Sequence, residues 1–392
     1  SSHPQFGHLC AHDLRKSGLR GRRHRYGWGL GQTTYKMGWA MPLSGSEASL
    51  GRPFTTFAEY GVEAVNERYA AEGFQIELVT EDTQATAEVG VTAVTKLATV
   101  ESVPVVFTAW SAVVKAMAPT AESLGVGVVN NGANSPELAG ASEMLVNFFP
   151  LSSVSVSGVA NYMATKGGKQ RAAVIYIDNA TGQGAAQVYK KEFEAAGGQV
   201  VAMESLDQRA IDASAQVAKV KAANPDTIQV QVLLGEAPVV LKELHRQGVD
   251  AQITTYAGPG QATSVRKASG EAMNGVIYTD TTAVTPEDPK FAALVERYKQ
   301  EEGQAPPGLA YMAYMYDSPF LFAEAIMHLR EQGKEVTGEN LVDAVRAGTF
   351  EVPLQRKVDF TEQLTVEKPV TLKRITDPSA PTTADKVVAT VE

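Results

Sequence analysis

The residues whose types and spacing could do chemistry gather first around Ser111. An apolar run at 103–107 (VPVVF) breaks into Thr108-Ala109-Trp110-Ser111, and a helical pattern begins there. A hydroxyl at such a junction has three readings: a nucleophile, a helix cap, or one wall of an anion site. The last follows because a helix start offers free N–H groups and a positive dipole end. A nucleophile would call for the strained G-x-S-x-G elbow and a histidine base. The frame here is Ala109-Trp110-Ser111-Ala112-Val113, with neither glycine. Outside the first 33 residues the histidines are His245 and His328, each inside a helical stretch. The cap and the anion wall stay open, with Trp110 able to supply a flat apolar surface to either.

Other chemistries find less support. Gly-rich GQG at 182–184 and GPG at 258–260 complete neither phosphate-binding fingerprint. H-E-x-x-H and paired cysteines are missing, so no catalytic zinc and no cofactor is expected. His8, Cys10 and His12 could hold a metal as a close cluster, but they lie in a segment unlike the rest. Residues 1–33 carry six Arg/Lys against one acid and four of the six histidines, with no apolar h-region. SHPQF there resembles part of a streptavidin-binding tag. This stretch is expected to be a leader, tag or disordered segment. The net charge of −9 over 392 residues argues against nucleic acid as a partner, since such binders carry a basic stripe. The single cysteine, Cys10, allows no intrachain disulfide. No apolar run approaches the roughly 18 residues of a membrane span.

The elements that must position Ser111 alternate from Thr34 onward. YKMGWAMPL, FQIELVTED and VPVVF read as strands; helical patterns at 54–70 and 86–99 separate them. The alternation restarts after Phe149 with RAAVIYID, QVVAMESL, TIQVQVLL and AQITTYA as strands, again with helical stretches between. This order predicts βαβ units around parallel sheets, and the short continuous apolar strands fit sheets covered on both faces. From Pro286 the chain reads as three helices. RKVDFTE and KPVTLKRIT then read as a β-ribbon. In doubly wound sheets, ligands bind beyond the carboxyl ends of the strands, where Ser111 would lie.

Several motifs occur in a fixed order from Lys36 to about Phe360. They are MPLSGSEASLGRP, VPVVFTAWSAVVKAMAPTAESLGVGVVNNGANSPELAG, VIYIDNATGQGAAQVYKKEFEAAGGQVV, LKELHRQG, YDSPFLFAEAI and VDF. The ordered set resembles the substrate-binding proteins of branched-chain amino acid ABC transporters, the Leu/Ile/Val-binding family of type I periplasmic binding proteins. The resemblance covers nearly the whole chain after residue 33. It implies an α/β fold of two doubly wound parallel-sheet lobes joined by three crossovers. Lobe 1 would be 34–151 plus 284–351, and lobe 2 would be 152–283 plus 352–392. The crossovers would fall near Pro150 and Leu151, at 279–283, and at Val352 and Pro353.

The resemblance also implies a ligand site in the cleft. Ser111 falls where the family's serine holds a ligand carboxylate, and Asn134 where a second hydroxyl residue, usually threonine, does so. Gly132 falls where a backbone carbonyl meets the ligand, with Asn131 and Ala133 beside it. Leu50 falls at an aromatic-lined position and Thr181 at a frequent tyrosine. Two departures change the expected ligand. Leu233 stands where amino-acid binders carry tyrosine. The ammonium-binding glutamate would fall at Ala257 or Gly258, where there is no acid. An α-ammonium buried without a carboxylate costs on the order of several kcal/mol. The expectation is therefore an extracytoplasmic, non-enzymatic and monomeric solute-binding protein. It would clamp a small aromatic or apolar carboxylate or amide in preference to Leu, Ile or Val, and would partner a membrane permease. A ligand sensor of the same fold, controlling a regulatory partner, is the alternative. A hydrolase on a doubly wound fold has no nucleophile–base pair to carry it.

Overall fold

The computed structural model describes residues 32–282, 284–285 and 287–391. The histidine and cysteine cluster at 8–12, and the leader up to Gly31, lie outside the described residues.

The first sheet collects β1 (Thr33–Met41), β2 (Phe74–Asp82), β3 (Val105–Thr108), β4 (Gly127–Asn130) and β5 (Leu145–Asn147). Their order is β2-β1-β3-β4-β5 and every pairing is parallel. Helices α1 (Ala48–Arg68), α2 (Ala87–Thr99) and α3 (Ser111–Ser123) connect them. The second sheet follows α4 (Ser152–Ala164). It holds β6 (Arg171–Ile177), β7 (Gln199–Leu206), β8 (Thr227–Gln231), β9 (Gln252–Thr255) and β10 (Ile277–Asp280). Between them run α5 (Ala180–Ala195), α6 (Ser214–Ala222), α7 (Ala237–Arg246) and the short α8 (Ala257–Gln261) and α9 (Thr263–Ser269). Its parallel portion runs β10-β9-β8-β6-β7, the same winding as in the first sheet. The chain then returns to lobe 1 as α10 (Pro289–Glu302), α11 (Leu309–Glu331), α12 (Gly338–Ala347) and the hairpin β11 (Phe350–Val352) and β12 (Arg356–Val358). It ends on lobe 2 as β13 (Val370–Arg374) and β14 (Lys386–Val391), antiparallel on the β10 edge.

The central strands β3, β4, β6 and β8 are buried along most of their length, which is why they read as mainly apolar runs, whereas the edge strands β2 and β7 are only partly covered. In lobe 1 one core joins Trp39, Phe57 and Phe107 to α11, and a second joins Val106 and Val128 to α2 and α3. In both lobes the helix after the first strand sits very close to that strand's end. A Cβ on Gly51 would fall 1.9 Å from the Pro42 carbonyl, and one on Gly182 would fall 2.0 Å from the Ile177 carbonyl. Only glycine allows that approach, and it draws the start of each helix over its sheet edge.

The expected fold class is the one observed, two doubly wound α/β lobes with three chain passages between them. The first passage lies at Leu151, which packs in lobe 1, while Val156 of α4 packs in lobe 2. The second lies between Asp280 and Val284. The third is later than Val352 and Pro353. Val352, Leu354, Val358, Leu364 and Val366 all pack in the lobe 1 core. The amide of Asn147 donates to the Leu364 carbonyl and the Val366 amide to the Asn147 carbonyl, so this segment extends the first sheet beside β5. The chain reaches lobe 2 only at Val370. The expected terminal ribbon is also rearranged: β12 pairs with β11, whereas β13 pairs with β10 and β14.

Candidate functional site

The strand order reverses between β1 and β3 in lobe 1 and between β6 and β8 in lobe 2. Chains leave these neighbouring strands in opposite directions, which opens a crevice at the carboxyl edge of each sheet. The residues singled out from the sequence come from the loops around these two crevices.

On lobe 1, Thr108 ends β3 with its hydroxyl donated to the Ala40 carbonyl at 2.8 Å, tying β3 to β1. Trp110 follows at φ 68°, ψ 119°. That positive φ is costly for a bulky residue and is tolerated where the surroundings over-determine it, often at functional sites. Ser111 is not the helix cap; it is the first residue of α3, after an N-cap position held by Trp110 with no side-chain bond. Its hydroxyl accepts the Ser135 amide at 3.3 Å. The first N–H groups of α3 have no intrahelical acceptor.

The Ser111–Ser135 bond brings the loop after β4 alongside α3. Asn130 organises that loop. Its side-chain oxygen accepts the Gly132 and Ala133 amides at 3.2 and 2.7 Å, and its amide donates to the Ala133 carbonyl at 2.8 Å. Ala133 is thereby buried with both backbone groups engaged. At Gly132 a Cβ would fall 2.9 Å from the Ala109 Cβ, so a larger residue would push the two loops apart. Asn134 is half-buried beside Ser111; its carbonyl accepts the Ser152 amide at 2.7 Å, and its side-chain amide forms no hydrogen bond among the described residues. Asn131 is turned elsewhere. It is fully buried and donates to the Ser318 hydroxyl of α11 at 3.0 Å.

Beside this polar group stands a wall of rings. Trp110 meets Phe54 at 5.6 Å between centroids, Phe54 meets Tyr311 at 5.6 Å, and Phe149 stacks on Tyr311 at 4.9 Å. Leu50 is half-buried in the first turn of α1 against the same core. The indole N–H of Trp110 points to Glu47 at 3.4 Å. Phe54 reads from the sequence as an ordinary inward helix position. Tyr311 and Phe149 come from distant segments, and only the three-dimensional packing joins them to Trp110.

On lobe 2, Thr181 lies in the first turn of α5, whose N-cap Asn179 accepts the Gly182 amide at 2.8 Å. Leu233 and Leu234 follow β8 and are each 43% exposed. Tyr256 follows β9 at the start of α8 and donates its hydroxyl to the Val232 carbonyl at 2.9 Å. Gly258 lies under that ring; a Cβ there would fall 2.9 Å from it. Burial raises the Tyr256 phenol well above its usual range, and Tyr311 and Glu236 are near enough to add to the effect. The lobes approach at Pro136, whose ring lies 3.4 Å from where a Cβ on Gly184 would stand. The structure therefore brings Leu50, Trp110, Ser111, Gly132 and Asn134 to one edge of lobe 1. It brings Thr181, Leu233 and Gly258 to the carboxyl edge of lobe 2, and sends Asn131 into the core.

At the second passage Asp280 gathers four donors. They are the Thr282 amide at 2.9 Å and hydroxyl at 2.6 Å, Gln261 of α8 at 3.1 Å and Lys373 of β13 at 2.9 Å. The short helix carrying Gly258 is thereby bonded to the chain that crosses between lobes.

Nothing here assembles a hydrolytic triad. His245 and His328 sit in the last turns of α7 and α11. Among the described residues no group of three or more His, Cys, Asp or Glu side chains could hold a metal ion, and no helix is long and apolar enough to cross a membrane.

Two open sheets that face each other by their strand ends, joined by three passages, define a clamp-type binding protein. The profile of the family described as "Periplasmic binding protein" matches residues 34–380, and the chain belongs to that family, in its branched-chain amino acid ABC transporter type. It is 25% identical over 327 residues to a leucine-, isoleucine-, valine-, threonine- and alanine-binding protein of Pseudomonas aeruginosa, covering 83% of this chain and 86% of that one. Its fold is similar to that of a leucine-binding protein, LivK, of Thermotoga maritima, with a TM-score of 0.73 at 20% identity over 91% of this chain and 99% of that one. It is equally similar to an ABC transporter solute-binding protein of R. palustris in complex with 4-hydroxybenzoate, with a TM-score of 0.73 at 18% identity over 92% and 97%.

Proposed function

We propose that this chain is an extracytoplasmic solute-binding protein of an ABC uptake transporter that closes its lobes on a small aromatic carboxylate and presents the closed form, as a monomer, to a membrane permease. The observation that carries this reading is the adjacency of two surfaces on lobe 1. Ser111, the free N–H groups of α3 and the unbonded Asn134 amide suit a carboxylate. The Trp110–Phe54–Tyr311–Phe149 wall next to them suits a flat ring. Leu233 and Gly258 leave lobe 2 without the tyrosine and the acid that amino-acid binders of this type carry, so an α-ammonium finds no carboxylate at that position. The ligand of the similar R. palustris protein is of the proposed class. The family to which the chain belongs is one of binding proteins, which supports a role in binding rather than catalysis.

Thermal-shift and calorimetric titrations with benzoate, 4-hydroxybenzoate, leucine, isoleucine and valine test the reading, since a ligand of the native state raises its melting temperature by mass action. Aromatic acids should stabilise the chain and the branched-chain amino acids should not. Ser111→Ala should weaken aromatic-acid binding by about 1–3 kcal/mol, the range for hydrogen bonds to charged groups. Stabilisation by leucine or valine alone, or unchanged affinity in Ser111→Ala, overturns it.

A further inference from the structure

Glu236 has no role in the account above, yet its setting is unusual. It is the N-cap residue of α7, just past Leu233 and Leu234, and only 5% exposed. One carboxylate oxygen accepts the amide of Arg209 at 2.5 Å. Arg209 belongs to the loop after β7 and has a left-handed backbone, φ 64°. The strand order places β6 between β8 and β7. A bond from the loop after β8 to the loop after β7 therefore passes over the carboxyl end of β6, a span of roughly 10 Å at ordinary strand spacing. Glu236 follows β8, one of the two strands that flank the β6|β8 reversal, beside which a doubly wound sheet takes its ligand. It is also close enough to Tyr256 to act on its phenol.

The second carboxylate oxygen is buried and has no partner. No Lys, Arg or His forms an ion pair with Glu236 among the described residues, and the Arg209 side chain is exposed. The Tyr256 hydroxyl is already donated to the Val232 carbonyl. A buried anionic oxygen without a donor is strongly disfavoured, and such a group in a native fold calls for a missing partner.

We infer that Glu236 is a specificity-determining acceptor that receives a hydrogen-bond donor, a hydroxyl or an amino group, carried by the ligand at the end opposite its carboxylate. The inference rests on the aromatic-carboxylate reading and refines it. Lobe 1 takes the anion and the ring, and lobe 2 reads the far substituent.

The test is calorimetry on the purified full chain with benzoate, 4-hydroxybenzoate and 4-(aminomethyl)benzoate, repeated on Glu236→Gln and Glu236→Asp. The wild type should favour at least one donor-bearing acid over benzoate by roughly ten- to a hundredfold, as expected of a hydrogen bond to a charged group. Preference for the hydroxyl or for the ammonium identifies the donor. Glu236→Gln should collapse the ratio toward one, and Glu236→Asp should retain part of it. The ratio separates recognition from structure. A side chain that merely staples the 207–210 loop would lower the melting temperature and all affinities together, leaving the ratio in place. Benzoate binding with no preference for a donor, or a preference that survives in Glu236→Gln, overturns this inference alone. Failure of all three acids to bind the wild type overturns the aromatic-carboxylate reading and this inference with it.

Discussion

Trp110 offers a test in which the sign of an effect carries the argument. Its backbone stands at φ 68°, ψ 119°, outside the wells open to a residue with a Cβ. Such a conformation costs about 1–3 kcal/mol, and glycine escapes most of that cost. At an ordinary position glycine is instead less stable than alanine by roughly 0.5–1 kcal/mol, because it loses more backbone freedom on folding. Trp110→Ala and Trp110→Gly remove the same ring and the same contact with Phe54, a pair worth about 0.5–1.5 kcal/mol. The difference between them isolates the backbone, and the glycine variant should be the more stable by about 1 kcal/mol. Urea unfolding of the ligand-free chain, followed by circular dichroism, measures that difference at constant slope. Both variants should lose aromatic-acid affinity, because both lose the wall. An alanine variant as stable as the glycine variant would refute the strained junction.

The other expectations concern parts of the fold that support the site. Asp317 is fully buried; desolvation pushes its carboxyl up from 3.8 to about 7, against the pull of the Gln355 and Leu354 amides. The native state therefore binds the extra proton between about pH 4 and 7. That stability is complete below about 4 and is lost as pH rises through about 7. The melting temperature should fall from pH 5 to pH 8 in the wild type and stay flat in Asp317→Asn; an equally steep fall in the variant refutes the assignment. Arg266 is buried against Asp385, which also accepts the Tyr278 hydroxyl at 2.6 Å. Arg266→Met strands that carboxylate and should cost about 3–5 kcal/mol in urea unfolding. Gly132→Ala forces its new methyl against Ala109 and should destabilise by roughly 1–3 kcal/mol in the same measurement.

The alternation of strands and helices was legible because the central parallel strands β3, β4, β6 and β8 are buried along most of their length and read as short, mainly apolar runs. The third passage was not. Val352, Leu354 and Val358 are apolar whichever lobe they join, and what ties their segment to lobe 1 is the Leu354 amide on Asp317 and, further on, the bonds of Leu364 and Val366 to Asn147, some two hundred residues away. The candidate site was read at strand ends because these are the natural crevice of a doubly wound sheet, and the structure places Trp110 and Ser111 just past the end of β3. Side-chain direction was not legible. Asn131 and Asn134 look equivalent in NNGANSP, yet one is bonded into α11 and the other is left free beside Ser111. The aromatic wall was hidden for a related reason: Phe54, Phe149 and Tyr311 each satisfy a local pattern and meet only through tertiary packing. Glu236 was hidden by its position, since an acid before a helix reads as a cap.

How the two walls divide the binding energy determines whether the clamp closes. A ligand shifts an open–closed equilibrium only by its difference in affinity for the two states. Contacts with Ser111, Asn134 and the rings of lobe 1 are available whether or not lobe 2 is near, so a ligand held by them alone binds both states equally and moves neither. Away from the passages the lobes meet at Pro136 of lobe 1 against Gly184 of lobe 2. The contact that exists only in the closed state has to come from lobe 2 reaching the ligand, and the unpartnered oxygen of Glu236 is the polar group placed to make it. At saturating 4-hydroxybenzoate, Glu236→Gln should therefore remain occupied but contract less than the wild type in small-angle scattering. If both chains contract fully with every site filled, closure is driven by contacts other than the one to Glu236.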